Sequence, residues 1–244
     1  KLCGAQQVII VTDTPGVMQA DPRVVGANAS ISHLTIEEID SMAKSGAQVL
    51  HPKSLEYKTD QFKARIVHYD DADYPTGGTE ISGFYRAILR GGHERLAMVT
   101  LVGSELLTVA RLWGDLGLIA RRAALPLAGI SLTEGFITLY VASERGVEVY
   151  RALHDHLSDW PYIKGLTIHH DVARLNIASH KFIDTPGVLQ QIMRPIAEAG
   201  INVLEVLTSQ SDITLFVDWK DRQRTWTVLK RLATDLNMQE LLKE

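Results

Sequence analysis

The chain has 244 residues, of which 45% are hydrophobic and 22% charged, and its formal net charge is −4. Its Lys and Arg residues are scattered, which excludes the clustered positive face that nucleic acid binding needs. No apolar run approaches the roughly 20 residues of a membrane span. There is no secretory signal pattern. The single cysteine, Cys3, cannot form an internal disulfide, which predicts a reducing compartment and hence the cytoplasm.

Residues 1–92 are predicted to form one α/β piece. The continuous apolar run Val8–Val11 indicates a strand buried on both faces, and Pro and Gly force a sharp polar turn at residues 12–16. Residues 1–5 read like the end of a helix that runs directly into this strand. We therefore infer a fragment, a processed chain or a missing upstream part.

Local signals place the next elements of this piece. Thr35 is predicted to cap a helix, Glu38 completes a capping box, and Gly46 provides the stop. Gly77-Gly78-Thr79 is expected to lead into a short edge segment of the sheet. Residues 83–94 are expected to form a connector.

The remainder contains a weak internal repeat with the order β-α-β-β-α, in residues 93–170 and 171–244. The elements predicted for the first repeat are a strand at Leu96–Gly103, a helix at Glu105–Leu116 stopped by Gly117, an irregular strand at Leu118–Leu127, a strand at Gly135–Ala142, a helix at Arg145–Leu157 and a closing strand at Lys164–His169. In the second they are a strand at Arg174–Ala178, a helix from the N-cap Thr185 and Pro186 to Gly200, strands at Ile201–Leu207 and Asp212–Asp218, and a final helix. Each repeat is of a size at which one core is marginal, so we expect the two to pack together or to dimerise.

Several ordered motifs resemble aspartate kinases. Residues 12–23 (T-D-T-P-G-V-M-Q-A-D-P-R) resemble the family segment T-D-x-x-G-[VI]-[YM]-T-x-D-P-R, and residues 46–52 (G-A-Q-V-L-H-P) resemble G-A-K-V-L-H-P. Gly77-Gly78-Thr79 matches the G-G-T that precedes the family's regulatory region. Residues 184–203 resemble the ACT domain pattern D-x-P-G-V…L-A-E-A-G-I-N-V, and Thr208-Ser209 matches the T-S that follows in aspartate kinases.

The resemblance implies an α/β fold: a partial amino-acid-kinase-type lobe at residues 1–92, then two ferredoxin-like (ACT) βαββαβ units at residues 93–170 and 171–244. It implies the C-terminal part of an enzyme that converts ATP and L-aspartate to 4-phospho-L-aspartate, which opens lysine, threonine and methionine biosynthesis. ATP with Mg is the cofactor of the complete family enzyme, and none is expected for this chain alone. A homodimer through the ACT units is also implied.

Carried over by motif, Thr12 and Asp13 would face the adenine side of ATP and Arg23 would approach its phosphates, since a guanidinium recognises phosphate oxygens bidentately. The alternative is that these residues only make a turn and a surface ion pair. Gln48 stands where the family has a phosphate-binding Lys, and an amide cannot replace an ammonium. Lys44, one helical turn earlier, is a candidate substitute. We assign no catalytic residue and expect this chain alone to be inactive.

A predicted effector site centres on the turn before the second repeat's first helix, because a helix N-terminus binds carboxylates. In this site Asp184 would pair with an ammonium, and other residues would supply backbone groups and pocket walls. The remaining predicted members are Thr185, Pro186, Gly187, Val188, Asn202, Val203, Thr208, Ser209 and Gln210. The resemblance implies lysine or threonine as the ligand. The alternative is that this turn is merely a good helix start.

The first repeat has Ser104–Leu107 at the corresponding turn, without Pro-Gly, so we expect it to be the poorer binder. The histidine pairs 154/156 and 169/170 lack metal-ligand geometry, and we predict no metal site. Two further interpretations remain open. One is a non-catalytic aspartokinase-like module that binds an amino acid and regulates another subunit. The other is an amino-acid-kinase relative with a different substrate.

Overall fold

The computed structural model describes residues 4–47, 50, 52–55, 57–71, 76–85, 88–122, 127–179, 182, 186–209 and 211–235. The chain divides into two compact units, an N-terminal unit at Lys1–Arg86 and a C-terminal unit at Ala87–Glu244.

The N-terminal unit is built on one small mixed sheet. Its strands are β1 (Gln7–Thr12), β2 (His33–Thr35), β3 (Lys63–His68) and β4 (Thr79–Ser82), and its helices are α1 (Pro22–Val25), α2 (Ile36–Lys44) and α3 (Pro52–Leu55). The sheet order is β1-β3-β4-β2, with β1 parallel to β3 and β4 antiparallel to β3. The segment after the G-G-T motif was predicted to lie at an edge, but β4 lies inside the sheet because the side chains of Thr79 and Ile81 enter the core.

Helix α2 begins as its sequence predicts. Thr35 Oγ1 accepts a hydrogen bond from Glu38 N (3.2 Å), and the Glu38 carboxylate accepts one from Thr35 N (2.7 Å), which completes the capping box. The helix buries Ile36 and Ile39 and ends just before Gly46, which has a φ of 102°. The packing of these apolar side chains against the sheet supplies most of the stability of such a short helix.

Strand β1 departs from the prediction that it is buried on both faces. Val8, Ile9 and Val11 are between 37% and 50% exposed. The physical reason is position: β1 is the outermost strand of this sheet, and no described residue of the N-terminal unit covers its far side.

The C-terminal unit contains one seven-stranded sheet and four α-helices among its described residues. Its strands are β5 (Ile88–Gly91), β6 (Leu96–Gly103), β7 (Leu127–Leu132), β8 (Phe136–Ala142), β9 (Ile163–Ala178), β10 (Val203–Ser209) and β11 (Asp212–Asp218). Its helices are α4 (Ala110–Arg122), α5 (Gly146–His154), α6 (Val188–Glu198) and α7 (Arg222–Asp235). The order is β10-β11-β9-β6-β8-β7, and β5 also pairs with β9. These elements form two ferredoxin-like units, as the sequence predicts.

The two ferredoxin-like units share β9, which divides the seven-stranded sheet into two halves, one in each unit. We call these halves the two sheets of the C-terminal unit. The first consists of β6, α4, β7, β8, α5 and the first half of β9, and the second consists of the other half of β9, α6, β10, β11 and α7. The fourth strand of the second unit is β5, which pairs with Leu175–Ala178. The second unit is therefore discontinuous in sequence, with the first unit inserted after β5.

This arrangement corrects the predicted boundaries. The boundary between residues 170 and 171 falls inside the continuous strand β9, and residues 88–91 are a strand of the C-terminal sheet rather than a connector in the N-terminal piece. The four-residue β5 escapes sequence detection because it is shorter than the window over which strand periodicity can be recognised. Leu89 of β5 is buried in the hydrophobic core of the second ferredoxin-like unit.

Helix α4 also differs from its prediction. It begins at Ala110 after a short 3-10 turn, passes through Gly117 and ends at Arg122, so the strand predicted at Leu118–Leu127 is wrong up to residue 122. An interior glycine costs a helix roughly 1 kcal/mol. Burial of Leu112 and Ile119 against the first unit's sheet outweighs that cost.

Strand β9 bends where it passes from one unit to the other. Its pairing with β6 moves from Leu96↔Val172 to Met98↔His169, so β9 carries one residue more than β6 at this point. Asp171 takes a left-handed conformation there, with φ 63°. Such a bulge bends and twists a strand, and here it lets one continuous strand serve two sheets.

The sheet faces that carry no helices, which we call the helix-free faces, pack on each other. Leu96, Tyr140, Val172 and Phe216 form a buried cluster between them. The rings of Tyr140 and Phe216 stack with centroids 3.6 Å apart, and the Tyr140 hydroxyl donates to the carboxylate of Glu205 on β10. Burial and this hydrogen bond raise the pKa of the Tyr140 phenol well above its usual range.

This contact predicts a large stability difference between two phenylalanines. Phe216→Ala removes a fully buried ring and should lower the free energy of unfolding by about 3–5 kcal/mol. Phe136→Ala, at a ring that is 52% exposed, is the matched control, with an expected loss of less than about 1 kcal/mol. Urea unfolding followed by circular dichroism measures both. Equal losses for the two variants would contradict the packing of the helix-free faces.

Candidate functional site

The turn after β1 is held by a single buried hydroxyl. Thr79 Oγ1 accepts a hydrogen bond from Val17 N (2.8 Å) and donates one to Ile31 O (2.6 Å). Gly16, with φ 127°, passes so close that a Cβ there would lie 2.7 Å from this hydroxyl. Gly16 of the first motif and Thr79 of the G-G-T motif are therefore in close contact. This contact fixes the conformation of the turn and hence the position of Thr12 and Asp13.

Arg23 is engaged by its neighbour in the same motif. The carboxylate of Asp21 caps α1 by accepting from Arg23 N (2.9 Å), and it also accepts from Arg23 Nε (3.0 Å) and Nη2 (2.7 Å). These bonds lower the pKa of Asp21 to about 2. The guanidinium remains exposed to solvent. The predicted alternative, a surface ion pair, is thus present in this structure.

Thr12, Asp13 and Arg23 nevertheless line the same cleft. The cleft has a volume of about 480 Å³ and is walled mainly by the turn and by α1, with Met42 and Ile66 on its apolar side. Thr12 Oγ1 donates to Asp13 Oδ1 (3.1 Å) at its rim. The structure therefore brings together all three described members of the predicted nucleotide group.

The remaining member of that group, Gln48, lies outside the described residues. Its suggested substitute, Lys44, is only 11% exposed, and its Nζ donates to Asp40 Oδ2 at 2.7 Å. Lys44 is not among the described residues that line the cleft. The geometry thus gives no support to the idea that Lys44 reaches a nucleotide phosphate.

The predicted effector turn precedes α6. The sequence places Thr185 as the N-cap and Pro186 in the first helical position, but in the structure Gly187 is the N-cap, in a left-handed conformation with φ 81°, and the helix begins at Val188. Asp184 and Thr185 lie outside the described residues. Gly187 is exposed and contributes no side-chain hydrogen bond to the cap.

The other predicted effector residues do not form one cluster. Asn202 and Val203 lie at the start of β10, whereas Thr208 and Ser209 lie at its end. Four residues of extended strand lie between the two groups, and the five steps from Val203 to Thr208 span roughly 17 Å. Thr208 and Ser209 are exposed, as is Asn202, while Val203 is half-buried. Gln210 lies outside the described residues.

Sequence reasoning missed a polar group on the helix-free face of the second ferredoxin-like unit. Arg174 and Asn176 alternate on β9 with the buried Ala173, Leu175 and Ile177. The period-two pattern was a usable signal, because it predicts that the polar side chains share the face opposite the core. What it could not reveal is that this face is covered by the other sheet.

Two general properties concern the described residues only. None of their helices is both long and apolar enough to span a bilayer. Within the same residues, no group of three or more His, Cys, Asp or Glu side chains is placed to hold a metal ion.

Comparisons with known proteins match both units. The amino acid kinase family matches residues 1–68 and the ACT domain matches residues 167–231. The aspartokinase of Geobacillus stearothermophilus is 24% identical over 226 residues, which cover 88% of this chain and 54% of that protein. The lysine-sensitive aspartokinase 3 of Escherichia coli (strain K12) is 47% identical over 51 residues, 21% of this chain and 11% of that protein.

A solved structure of aspartate kinase from Synechocystis shares the fold. It superposes with a TM-score of 0.78 at 17% identity, over 98% of this chain and 44% of that chain. The chain spans about half the length of the curated relatives it matches.

The contact between Gly16 and Thr79 leads to a prediction about stability. Thr79→Val keeps the shape but leaves Val17 N without its buried acceptor, which should cost about 1–3 kcal/mol. Hydrogen exchange at the Val17 amide should accelerate by the factor to which this loss of free energy corresponds. Thr79→Ser, which keeps the hydroxyl, is the control and should protect this amide. If the valine variant exchanged as slowly as the wild type, Thr79 would not hold the turn.

Proposed function

We propose that this chain, which belongs to the aspartokinase family, is the regulatory C-terminal portion of an aspartate kinase whose reaction is ATP plus L-aspartate to 4-phospho-L-aspartate. The observation that carries the proposal is the order of parts: an amino acid kinase segment is followed by an ACT domain. Relatives that align over 88% of the chain are aspartokinases.

The cleft of the N-terminal unit supports a nucleotide-facing role. Thr12 and Asp13 would contact the adenine side of ATP, and Arg23 would exchange its bonds to Asp21 for bonds to phosphate oxygens. ATP with Mg would supply the phosphoryl group. The exposed apolar residues of β1 supply a surface on which the rest of a kinase domain would pack. This chain alone would then hold one wall of the active site and would not turn over.

The ACT part supports feedback control by an amino acid, with lysine or threonine as the effector. A carboxylate would be bound by backbone N–H groups at the N-terminus of α6, which follows the exposed turn at Pro186 and Gly187. The lysine sensitivity in the name of the Escherichia coli relative agrees with this ligand class. By linkage, an effector must bind two arrangements of the protein with binding free energies that differ by about 1–3 kcal/mol.

A homodimer through the ACT units would complete the effector site. The two groups of predicted residues lie at opposite ends of β10, so a pocket built from both requires a second copy. Among the described residues, no strand pairs with the outer edge of β7 or of β10. The β7 edge is the more apolar, with Leu127, Ile130 and Leu132 exposed. A cytoplasmic location remains a prediction from the single cysteine.

The second candidate is a non-catalytic aspartokinase-like module that binds an amino acid and regulates another subunit. Gln48, in place of the family's phosphate-binding Lys, is the observation that favours it. The two candidates differ in the upstream sequence of the complete gene. A kinase half with its Lys-rich and Gly-rich phosphate loop supports the enzyme, and a start codon near residue 1 supports the module.

Effector binding is tested by isothermal titration calorimetry of this chain with L-lysine and then L-threonine. We expect heat with one of them, lost in Asp184→Ala because the ammonium partner is gone. Gln191→Ala, an exposed residue on α6, is the control and should bind as the wild type does. No heat with either amino acid, in a folded and dimeric sample, would overturn the effector proposal.

The dimer is tested by light scattering after size exclusion. Ile130→Lys places a charge on the apolar edge of β7, where Ile130 is 41% exposed, and should convert the dimer to a monomer. Val147→Lys, at an equally exposed position (45%) on α5, should leave the dimer intact. A wild type that is monomeric at micromolar concentration, or an Ile130→Lys variant that remains dimeric, would count against this edge.

A further inference from the structure

A pocket of about 290 Å³ opens between the two sheets of the C-terminal unit. Its polar wall comes from adjacent strands of the second ferredoxin-like unit. Arg90 on β5 and Thr214 on β11 are both paired directly with Asn176 on β9, and Arg174 lies two residues from Asn176 on the same strand. Directly paired residues, and residues two apart on one strand, share a face. All four side chains therefore lie on the helix-free face.

The charge in this intersheet pocket is unbalanced. Arg174 Nη1 donates to Ala128 O on β7, and no other hydrogen bond of its guanidinium to a described residue is present. Arg90 is exposed, with no ion pair or hydrogen-bonding partner for its side chain among those same residues. No described carboxylate lines the pocket. Two guanidinium groups thus line one cavity, and no carboxylate of a described residue lines it with them.

Two acidic side chains on the strands next to the pocket accept hydrogen bonds from other groups. Asp212 accepts a hydrogen bond from Asn176 Nδ2 (3.2 Å), and Glu205 accepts one from the Tyr140 hydroxyl. Like charges on diagonal positions of neighbouring strands repel. The arrangement is therefore explained better by an anion that both arginines contact than by packing alone.

The size and the remaining walls of the pocket limit the ligand. Leu207 and Phe216 form an apolar wall, and Gly91 and Gly92 contribute no side chains that would fill the space. The volume of about 290 Å³ lies just below the usual range for small-molecule sites, about 300–1,000 Å³. These dimensions fit a molecule with a short carbon skeleton and an oxyanion.

We propose that the intersheet pocket binds a small organic oxyanion, a carboxylate or phosphate, through Arg90 and Arg174. Guanidinium groups bind such oxyanions bidentately. The site is separate from the effector turn, because it lies on the helix-free face whereas α6 covers the opposite face. Its walls come from both ferredoxin-like units, with Ala128 from the first and the arginines from the second. A bound anion would therefore favour the arrangement in which the helix-free faces are in contact.

The test uses the full chain labelled with ¹⁵N, and the probes are succinate and inorganic phosphate. Titration should shift the amide signals of Gly91, Gly92 and Thr214, and calorimetry should give the affinity. Arg90→Gln should weaken binding by about tenfold, because it removes one charge-assisted hydrogen bond to the anion. Arg151→Gln, an exposed arginine on α5 of the first ferredoxin-like unit, is the matched control and should bind normally.

Each outcome decides the proposal. Binding of succinate but not phosphate identifies a carboxylate site, and the reverse identifies a phosphate site. Three results would overturn the proposal. They are amide shifts spread over the whole surface, an equal loss of affinity in Arg90→Gln and Arg151→Gln, and no binding of either probe. Asp184→Ala should leave probe binding unchanged, so the effector site and the intersheet pocket can fail independently.

Discussion

One strand constrains the whole C-terminal unit. β9 supplies a strand to each ferredoxin-like unit, so neither sheet can be completed without the other. The bulge at Asp171 bends this strand, and the bend brings the two helix-free faces into contact. The insertion of the first unit between β5 and β9 adds a second covalent connection. Any movement of one ACT-type unit relative to the other must therefore pass through the bulge or through the contact between the faces.

The contact between the helix-free faces combines two kinds of interaction. Tyr140 and Phe216 give it a rigid apolar centre, while Arg174 reaches across to a backbone carbonyl of β7. A close-packed apolar interface shifts between discrete arrangements rather than deforming continuously. A ligand at its polar margin can bias such an arrangement without touching the centre. The contact between the helix-free faces is therefore a site through which the proposed ligands could change the arrangement of the two ferredoxin-like units.

The sequence predicts best where a local chemical signal decides the structure. The capping box at Thr35 and Glu38 is such a signal, and so is the alternation in β11. Prediction fails where tertiary contacts override local preference. Gly117 is helical because its helix is packed on a sheet, and β5 is a strand only because β9 provides its partner. The candidate sites show the same contrast. Thr12, Asp13 and Arg23 of one sequence motif line one cleft, whereas the predicted effector residues lie at both ends of β10.

The ion pairs of the N-terminal unit limit which of its basic residues could contact a phosphate. Both basic residues considered for phosphate contact are paired with carboxylates, Arg23 with Asp21 at the surface and Lys44 with Asp40 in a nearly buried pair. Removing Lys44 from Asp40 would leave a buried carboxylate unpaired, which costs several kcal/mol. The exposed pair of Arg23 and Asp21 has no such barrier, because water can solvate both groups. Of these two residues, Arg23 is therefore the one that the proposed nucleotide would recruit.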